Sequence, residues 1–339
     1  MGADHRRGAA TAQGIRSCWI LTDGKAGDEA QCRGVAEAMG ISCETRRVGP
    51  GWPFVWLMPW GPIDPREGPD WAKSPIAPPY PDLLIASGRR AVPYVRRIKQ
   101  ASEGRTFTVF LKDPRTGSSG ADFIWVPEHD SRRGRHVLST VTSPHRISPE
   151  RLAAARESVP PEIEALTYPR VALILGGKSR AFTYNARTNR RLAEAIRVIL
   201  NFQPHASFMV TPSRRTPQRT VQAVREVLGD RTAIIWDGEG ENPYLDFLAH
   251  ADFIIAPADS VNMVGEAVAT GTPVYVFRPE GRGGKIERFL ASLSRAGAVR
   301  ELDGPLVPFS YEPIDATPRI AAEILRRFAD RQEHVAKPG

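Results

Sequence analysis

Two glycines, a lysine and a serine follow the apolar run Arg170–Leu175: Gly176, Gly177, Lys178 and Ser179, with Arg180 beside them. Glycines after a strand let a phosphate approach the backbone closely, and the three polar residues add donors. The spacing is not that of a P-loop, because Ala172 stands where the first glycine is required. A second near-match at Gly284-Lys285 fails as well, with Pro279 at the first glycine position and Ile286 at the hydroxyl position. Thr211-Pro212-Ser213-Arg214-Arg215-Thr216-Pro217 sets hydroxyls and two adjacent guanidiniums at another strand end, where they could clamp a diphosphate. Asp259 and Ser260 open a helix whose free N–H groups favour an anion, and Glu266 lies two turns along it. One carboxylate can accept both vicinal hydroxyls of a ribose, so the combination suits a nucleotide. Each cluster also has a plain structural reading, as a tight turn, a solvated charged loop or a helix cap.

The N-terminal loop Asp23-Gly-Lys25-Ala-Gly-Asp28-Glu29 supplies carboxylates that could take a proton from an attacking hydroxyl, and Lys25 could hold an anionic group. Asp28 reads equally as the cap of a helix starting at Glu29.

These residues need elements to position them. Cys18–Leu21 is a short apolar strand, and Cys32, Val35, Ala36 and Met39 then form one helical stripe closed by Gly40. Strands follow at Asp82–Ala86, Phe107–Leu111 and Phe123–Val126, with a helix at Val92–Gln100 between the first two. The proline-rich stretch SPHRISPERLAAARESVPPEIEALTYP breaks the rhythm. It restarts with strands at Arg170–Leu175, Ser207–Val210, Ala233–Trp236, Phe253–Ala256 and Pro273–Phe277. Thr216-Pro217 reads as N-cap and first residue of one helix, Asn242-Pro243 opens a short one, and Ser260–Thr270 is another. Alternating strands and helices mean parallel sheets with crossover helices. The fold class is α/β, as two Rossmann-like domains facing across a cleft. The expected division is a disordered tail at 1–16, an N-terminal Rossmann-like domain at 17–150 and a linker at 151–168. A C-terminal Rossmann-like domain at 169–310 follows, and a helix at 311–339 that returns to the first domain.

Composition narrows the class. The chain has 339 residues, 41% apolar and 25% charged, which excludes wholesale disorder, collagen and coiled coil. No apolar run reaches a bilayer span, and the first residues lack the core of a secretory signal. Lys and Arg number 46 against 38 Asp and Glu, a net of +8 spread evenly between the halves. That disfavours nucleic acid as partner and leaves a small phosphorylated ligand or an anionic membrane. Cys18, Cys32 and Cys43, an odd count without CxxC spacing, read as reduced thiols in a cytoplasmic core. The segment GWPFVWLMPWGPIDP holds three of the seven Trp. It reads as a loop packed on its own domain or as a surface dipping into a bilayer through Trp52, Phe54, Trp56, Leu57, Met58 and Trp60, with Arg46, Arg47 and Arg66 toward headgroups.

The stretch from Asn242 to Gly281 resembles the donor-binding motif of GT-B glycosyltransferases, including the enzyme that adds N-acetylglucosamine to make lipid II. There a Glu five residues before the Gly of an alanine-rich Gly–x–Pro turn holds the ribose. Here Glu266 stands five before Gly271, with Ala267 and Ala269 between. Asp259-Ser260 departs from the Ser/Gly pair of that family. More closely, DGKAGDEAQ, PHR, GGKS, TPSRRTP, NPY and DSVNMVGEA together resemble the bacterial branch of the mitochondrial-fission "elongated mitochondria" family, a GT-B-like group, over residues 18 to 300. The resemblance implies a metal-independent transferase with a nucleotide-diphosphate sugar as donor and no other cofactor, acting on a lipid-linked or envelope acceptor. It adds Asn242 and Met263 to the nucleotide-binding set. Counting back from the Val-Ala-Glu helix of the lipid II enzyme onto Val35-Ala36-Glu37 places the base at Asp28, with Asp23 as its neighbour. Such an enzyme would be cytoplasmic and peripheral to the inner membrane. A non-catalytic GT-B-like scaffold recruiting partners at a membrane is the alternative reading, and a nucleotide-sugar epimerase the third.

Overall fold

Runs of five or six residues buried on both sides build the centre of each half, as expected of parallel strands covered by helices on both faces. The computed structural model describes residues 14–336, so most of the expected tail at 1–16 and the last three residues lie outside the described residues. The chain divides into two compact units, one of residues up to Arg146 and again from Ala316, the other of Ile147–Asp315.

The first unit contains β1 (Cys18–Thr22), α1 (Ala26–Ala38), β2 (Glu44–Arg47), α2 (Phe54–Leu57), β3 (Leu83–Ser87), α3 (Val92–Ala101), β4 (Phe107–Leu111), β5 (Phe123–Pro127) and β6 (Val137–Thr140). Its parallel sheet has the order β2-β1-β3-β4-β5-β6. The second unit contains α4 (Pro149–Glu157), α5 (Pro161–Glu164), β7 (Arg170–Leu175), β8 (Phe182–Thr183), α6 (Ala186–Phe202), β9 (Ser207–Pro212), α7 (Gln218–Leu228) and β10 (Ala233–Ile235). It continues with α8 (Tyr244–Ala249), β11 (Phe253–Pro257), α9 (Val261–Val268), β12 (Val274–Phe277), β13 (Glu280–Gly281), α10 (Gly284–Arg295) and β14 (Val299–Glu301). Its parallel sheet runs β10-β9-β7-β11-β12-β14, and β8 pairs with β13 as a separate antiparallel ribbon. Both units are Rossmann-like. The last helix, α11 (Thr317–Ala336), rejoins the first unit: Ile320, Ile324, Leu325 and Phe328 enter the core that holds Cys32, Val35, Ala36 and Met39 of α1.

Several sequence expectations need correction. Residues 151–168 are not a free linker. Most of α4 and all of α5 lie there, with Leu152, Ala155 and Ile163 buried, and Arg156 donates to the Ala249 carbonyl of α8 at 3.0 Å. Cys18 and Cys43 are not separate thiols but a disulfide. The register of β1 with β2 pairs Trp19 with Glu44, which puts residues 18 and 43 abreast, and β2 was invisible to a search for apolar runs. Cys32 is a buried free thiol. Met58 cannot meet a bilayer, because it is fully buried in the core beneath α3. Arg46 lies over the Trp19 ring, 3.4 Å from its centroid, and donates to the Pro75 and Ala77 carbonyls. Among the described residues no helix is long and apolar enough to cross a membrane.

The Pro144-His145-Arg146 motif has a structural task. A Cβ built on Gly34 of α1 would stand 2.2 Å from the His145 carbonyl oxygen, so the helix and this segment meet backbone to backbone. Arg146 also pairs with Glu37 of α1 at 2.6 Å. Gly34→Ala should therefore destabilise the first unit by about 1–3 kcal/mol through overpacking, seen as a lower midpoint in thermal or urea unfolding. An unchanged midpoint would show that this contact is not tight.

Candidate functional site

In the second unit the chain starts in the middle of the sheet at β7, adds β9 and β10 on one side, then β11, β12 and β14 on the other. The order reverses between β7 and β11, and ligands of open α/β sheets bind at the carboxyl ends of the strands at such a point. The loops there are the ones whose composition suggested phosphate binding. Gly176 and Gly177 follow β7, Ser213–Thr216 follow β9, and Asp259-Ser260 follow β11.

Asp259 ties them together. Its side chain is buried. Its Oδ1 accepts from the Tyr184 hydroxyl at 2.5 Å, and its Oδ2 accepts from the Gly177 N–H at 3.2 Å and from Arg215 at 3.4 Å. The packing is close enough that a Cβ on Gly176 would stand 2.0 Å from Asp259 Oδ1, and one on Gly177 would stand 2.1 Å from the Arg215 carbonyl. Burial, then the Asp259 charge beside it, push the Tyr184 phenol far above its ordinary value, so it stays a donor. Arg215 also reaches the Lys178 carbonyl at 3.4 Å. The Thr216 hydroxyl does not cap α7, whose N-cap is Pro217; it donates to the carbonyls of Leu175 and Gly176, at 3.0 and 2.7 Å. Ser213 bonds Thr216 in turn. Ser179 Oγ accepts from Ala181 and Phe182 N–H and closes the glycine turn on itself. Ser260 caps α9, accepting from the Met263 N–H at 3.3 Å. Lys178, Arg180 and Arg214 are exposed and form no ion pair among the described residues.

Glu266 belongs to a second cluster on α9. It accepts from the Tyr244 hydroxyl at 2.8 Å, and Asn242 accepts from the Tyr244 N–H at 3.0 Å. Asn-Pro-Tyr thus serves to aim a tyrosine at the glutamate. Burial raises the Glu266 carboxyl to about 7, with the Tyr244 bond pulling the other way. Sequence reasoning named Asn242 but missed Tyr244 and Tyr184, although the first stood in a motif already singled out. It also missed Trp236, which lines a cavity of about 290 Å³ with Ser213 and Arg214.

The first unit repeats the topology, with its reversal between β1 and β3. Asp23 follows β1 and Gly88 follows β3, and a Cβ on Gly88 would stand 3.0 Å from Asp23 Oδ1. The Asp23 side chain is only 2% exposed. Its Oδ2 pairs with Lys25 at 2.8 Å, while Oδ1 is buried with no hydrogen-bond partner among the described residues. Asp28 does not cap a helix at Glu29: α1 starts at Ala26, and Asp28, inside its first turn, is ion-paired with Lys112. Lys112 follows β4 with φ +89°, a costly conformation for a side chain other than glycine. Glu29 is engaged by Arg33 and Arg47, each at 3.0 Å. No pattern in the sequence marked Lys112.

Comparison with known proteins agrees with this architecture. Residues 26–328 match the model of the family described as Mitochondrial fission ELM1. Mitochondrial fission protein ELM1 of Arabidopsis thaliana is 29% identical over 278 residues, 74% of this chain and 65% of that protein, so the chain spans just under two-thirds of its length. Uncharacterized protein RP120 of Rickettsia prowazekii is 26% identical over 285 residues, 73% of this chain and 79% of that one. Among solved structures, UDP-GlcNAc 2-epimerase from Neisseria meningitidis bound to UDP-GlcNAc is similar with a TM-score of 0.50 at 11% identity, covering 94% of this chain and 92% of that one. This last likeness is one of fold, the pair of Rossmann-like domains of GT-B glycosyltransferases and related epimerases. With its glycine turn, its Asn-Pro-Tyr and its α9 segment all inside the matched span, the chain belongs to the mitochondrial fission ELM1 family.

Proposed function

We propose that this chain binds a nucleoside diphosphate sugar at the strand ends of its second unit and transfers the sugar to an acceptor hydroxyl. Glu266 carries the reading. It is a half-buried carboxyl on a helix that starts at the reversal point of the sheet, oriented by Tyr244 through Oε2. Its ionised form can accept from the two vicinal hydroxyls of a ribose. The exposed cations Lys178, Arg180 and Arg214 suit a diphosphate, and Trp236 offers a face on which a nucleobase can stack. The Neisseria structure was solved with UDP-GlcNAc, which makes UDP-sugars the first ligands to try.

In the transfer, the acceptor oxygen bonds to the anomeric carbon as the bond from that carbon to the β-phosphate oxygen breaks. The hydroxyl proton passes to a carboxylate, and Asp23 and Asp28 are the candidates that the sequence offers. Charge growing on the departing nucleoside diphosphate is offset by the cations and by the N-terminal end of α9. A non-catalytic scaffold is the second reading. It draws on the fact that both candidate bases already hold a cation, Asp28 that of Lys112 and Asp23 that of Lys25.

Thermal unfolding in the presence of UDP-, GDP-, ADP- and CMP-sugars tests the binding step. One nucleotide class should raise the midpoint by a few degrees, and Glu266→Ala should remove most of that gain. No stabilisation by any of them rejects donor binding, and stabilisation without turnover selects the scaffold.

The raised Glu266 carboxyl makes a separate prediction. Its ordinary value is 4.5, so between that pH and about 7 the native state keeps a proton the unfolded chain has released. Stability must then fall as pH rises through this window. Glu266→Gln should gain on the wild type by roughly 1–2 kcal/mol between about pH 5 and about pH 8, measured by denaturant unfolding. Parallel pH profiles for the two proteins would contradict the shift.

A further inference from the structure

The segment between β2 and β3 exposes four indoles on a firmly held frame. Trp52 and Trp56 are each 77% exposed, Trp60 64% and Trp71 63%, and Leu57 stands among them. The backbone beneath is pinned rather than loose. Met58 is sunk in the core, the Gly61 N–H bonds the Leu57 carbonyl at 2.8 Å, and Gly51 donates to Asp64 at 2.9 Å. Arg96 of α3 donates to the carbonyls of Pro59, Trp60 and Gly61, at 2.9, 3.2 and 3.1 Å. A frame held this way stops the indoles from folding back onto the domain, so their apolar surface stays in water.

The chemistry of the patch favours a lipid surface. Tryptophan combines a broad apolar ring with an N–H donor and concentrates at the headgroup level of bilayers. Between residues 46 and 97 there are eight Lys and Arg against four Asp and Glu; Arg46, Arg47 and Arg66 are ion-paired with Glu44, Glu29 and Asp64, and the exposed Lys73 and Arg90 are the cations of this segment that suit anionic headgroups. The patch is also joined to the first unit's reversal point. Arg89, directly after Gly88, donates to the Met58 carbonyl at 2.5 Å and lies 5.6 Å from the Trp60 ring centroid. Gly88 in turn touches Asp23, whose Oδ1 is buried and lacks a partner among the described residues.

We propose that the Trp52–Trp60 face docks on an anionic bilayer and that the acceptor reaching Asp23 is an amphiphile anchored in that bilayer. The second clause rests on the transferase reading, whereas the docking itself does not.

Flotation of the full chain with vesicles tests it, using phosphatidylcholine alone and phosphatidylcholine mixed with phosphatidylglycerol. The wild type should float with the mixed vesicles, with a blue-shifted tryptophan emission, and bind the neutral ones about tenfold less tightly. The Trp52→Ala, Trp56→Ala double variant should lose about tenfold in binding to the mixed vesicles while keeping the wild-type unfolding midpoint, since both rings lie at the surface. Equal flotation of the two proteins, or none by the wild type, overturns the docking. So does a wild type that self-associates in sedimentation where the variant does not, because the face would then be a protein contact. Mixed-vesicle binding together with no response to any nucleotide sugar would keep the docking and discard the acceptor.

Discussion

Asp259 leaves the end of β11 in a place that water does not reach, and a carboxylate there is stable only if it finds donors. It finds them on three other segments: the backbone after β7, the guanidinium of Arg215 after β9, and the phenol of Tyr184 ahead of α6. Removing a charge from water costs several kcal/mol unless partners of good geometry replace the solvent, so these loops are held in register by the need to satisfy one group. The glycines follow from it, because only a residue without a side chain fits at 176 and 177 once the carboxylate and the Arg215 backbone are in place. What remains free to meet a ligand are the outer cations and the half-buried glutamate farther along α9.

The two units apply one topology to different electrostatic ends. Each sheet begins inside and reverses once, and each puts an aspartate beside a glycine at the reversal. In the second unit both oxygens of that aspartate are satisfied by neighbouring loops, which makes it a rigid foundation. In the first, Asp23 has, among the described residues, one lysine from its own loop and one buried oxygen without a donor. Such an atom costs about 1–3 kcal/mol to leave unpaired.

Strands with apolar runs were legible in the sequence because burial on both faces writes itself as composition: β1, β3, β4, β5, β7, β9, β11 and β12 were all marked this way. The edge strand β2, Glu-Thr-Arg-Arg, has no such signature, since an edge shields one side with charge, and with it went the pairing of Cys18 and Cys43. At the site, residue types with local meaning were legible, namely glycine turns, arginine pairs and a helix-borne glutamate. Their partners were not. Lys112 reaches Asp28 across 84 positions, Tyr184 reaches Asp259 across 75 and Tyr244 reaches Glu266 across 22, and no local pattern encodes a contact made by tertiary folding. Asp259 showed the converse failure, since its type and place at a helix start suggested a ligand contact, while its burial gives it to the scaffold.

The return of α11 to the first unit bears on the order in which the protein can be made. Ile320, Ile324, Leu325 and Phe328 cover one face of a core whose other members, such as Cys32, Val35 and Phe107, leave the ribosome some two hundred residues or more earlier. The second unit is continuous in sequence and complete before that helix emerges. During translation the first unit therefore waits with an apolar face uncovered while the second closes, although it was synthesised first. A chaperone that holds nascent apolar surface has its natural target on the α1 side of the first sheet, for as long as the ribosome takes to reach residue 328 and clear it.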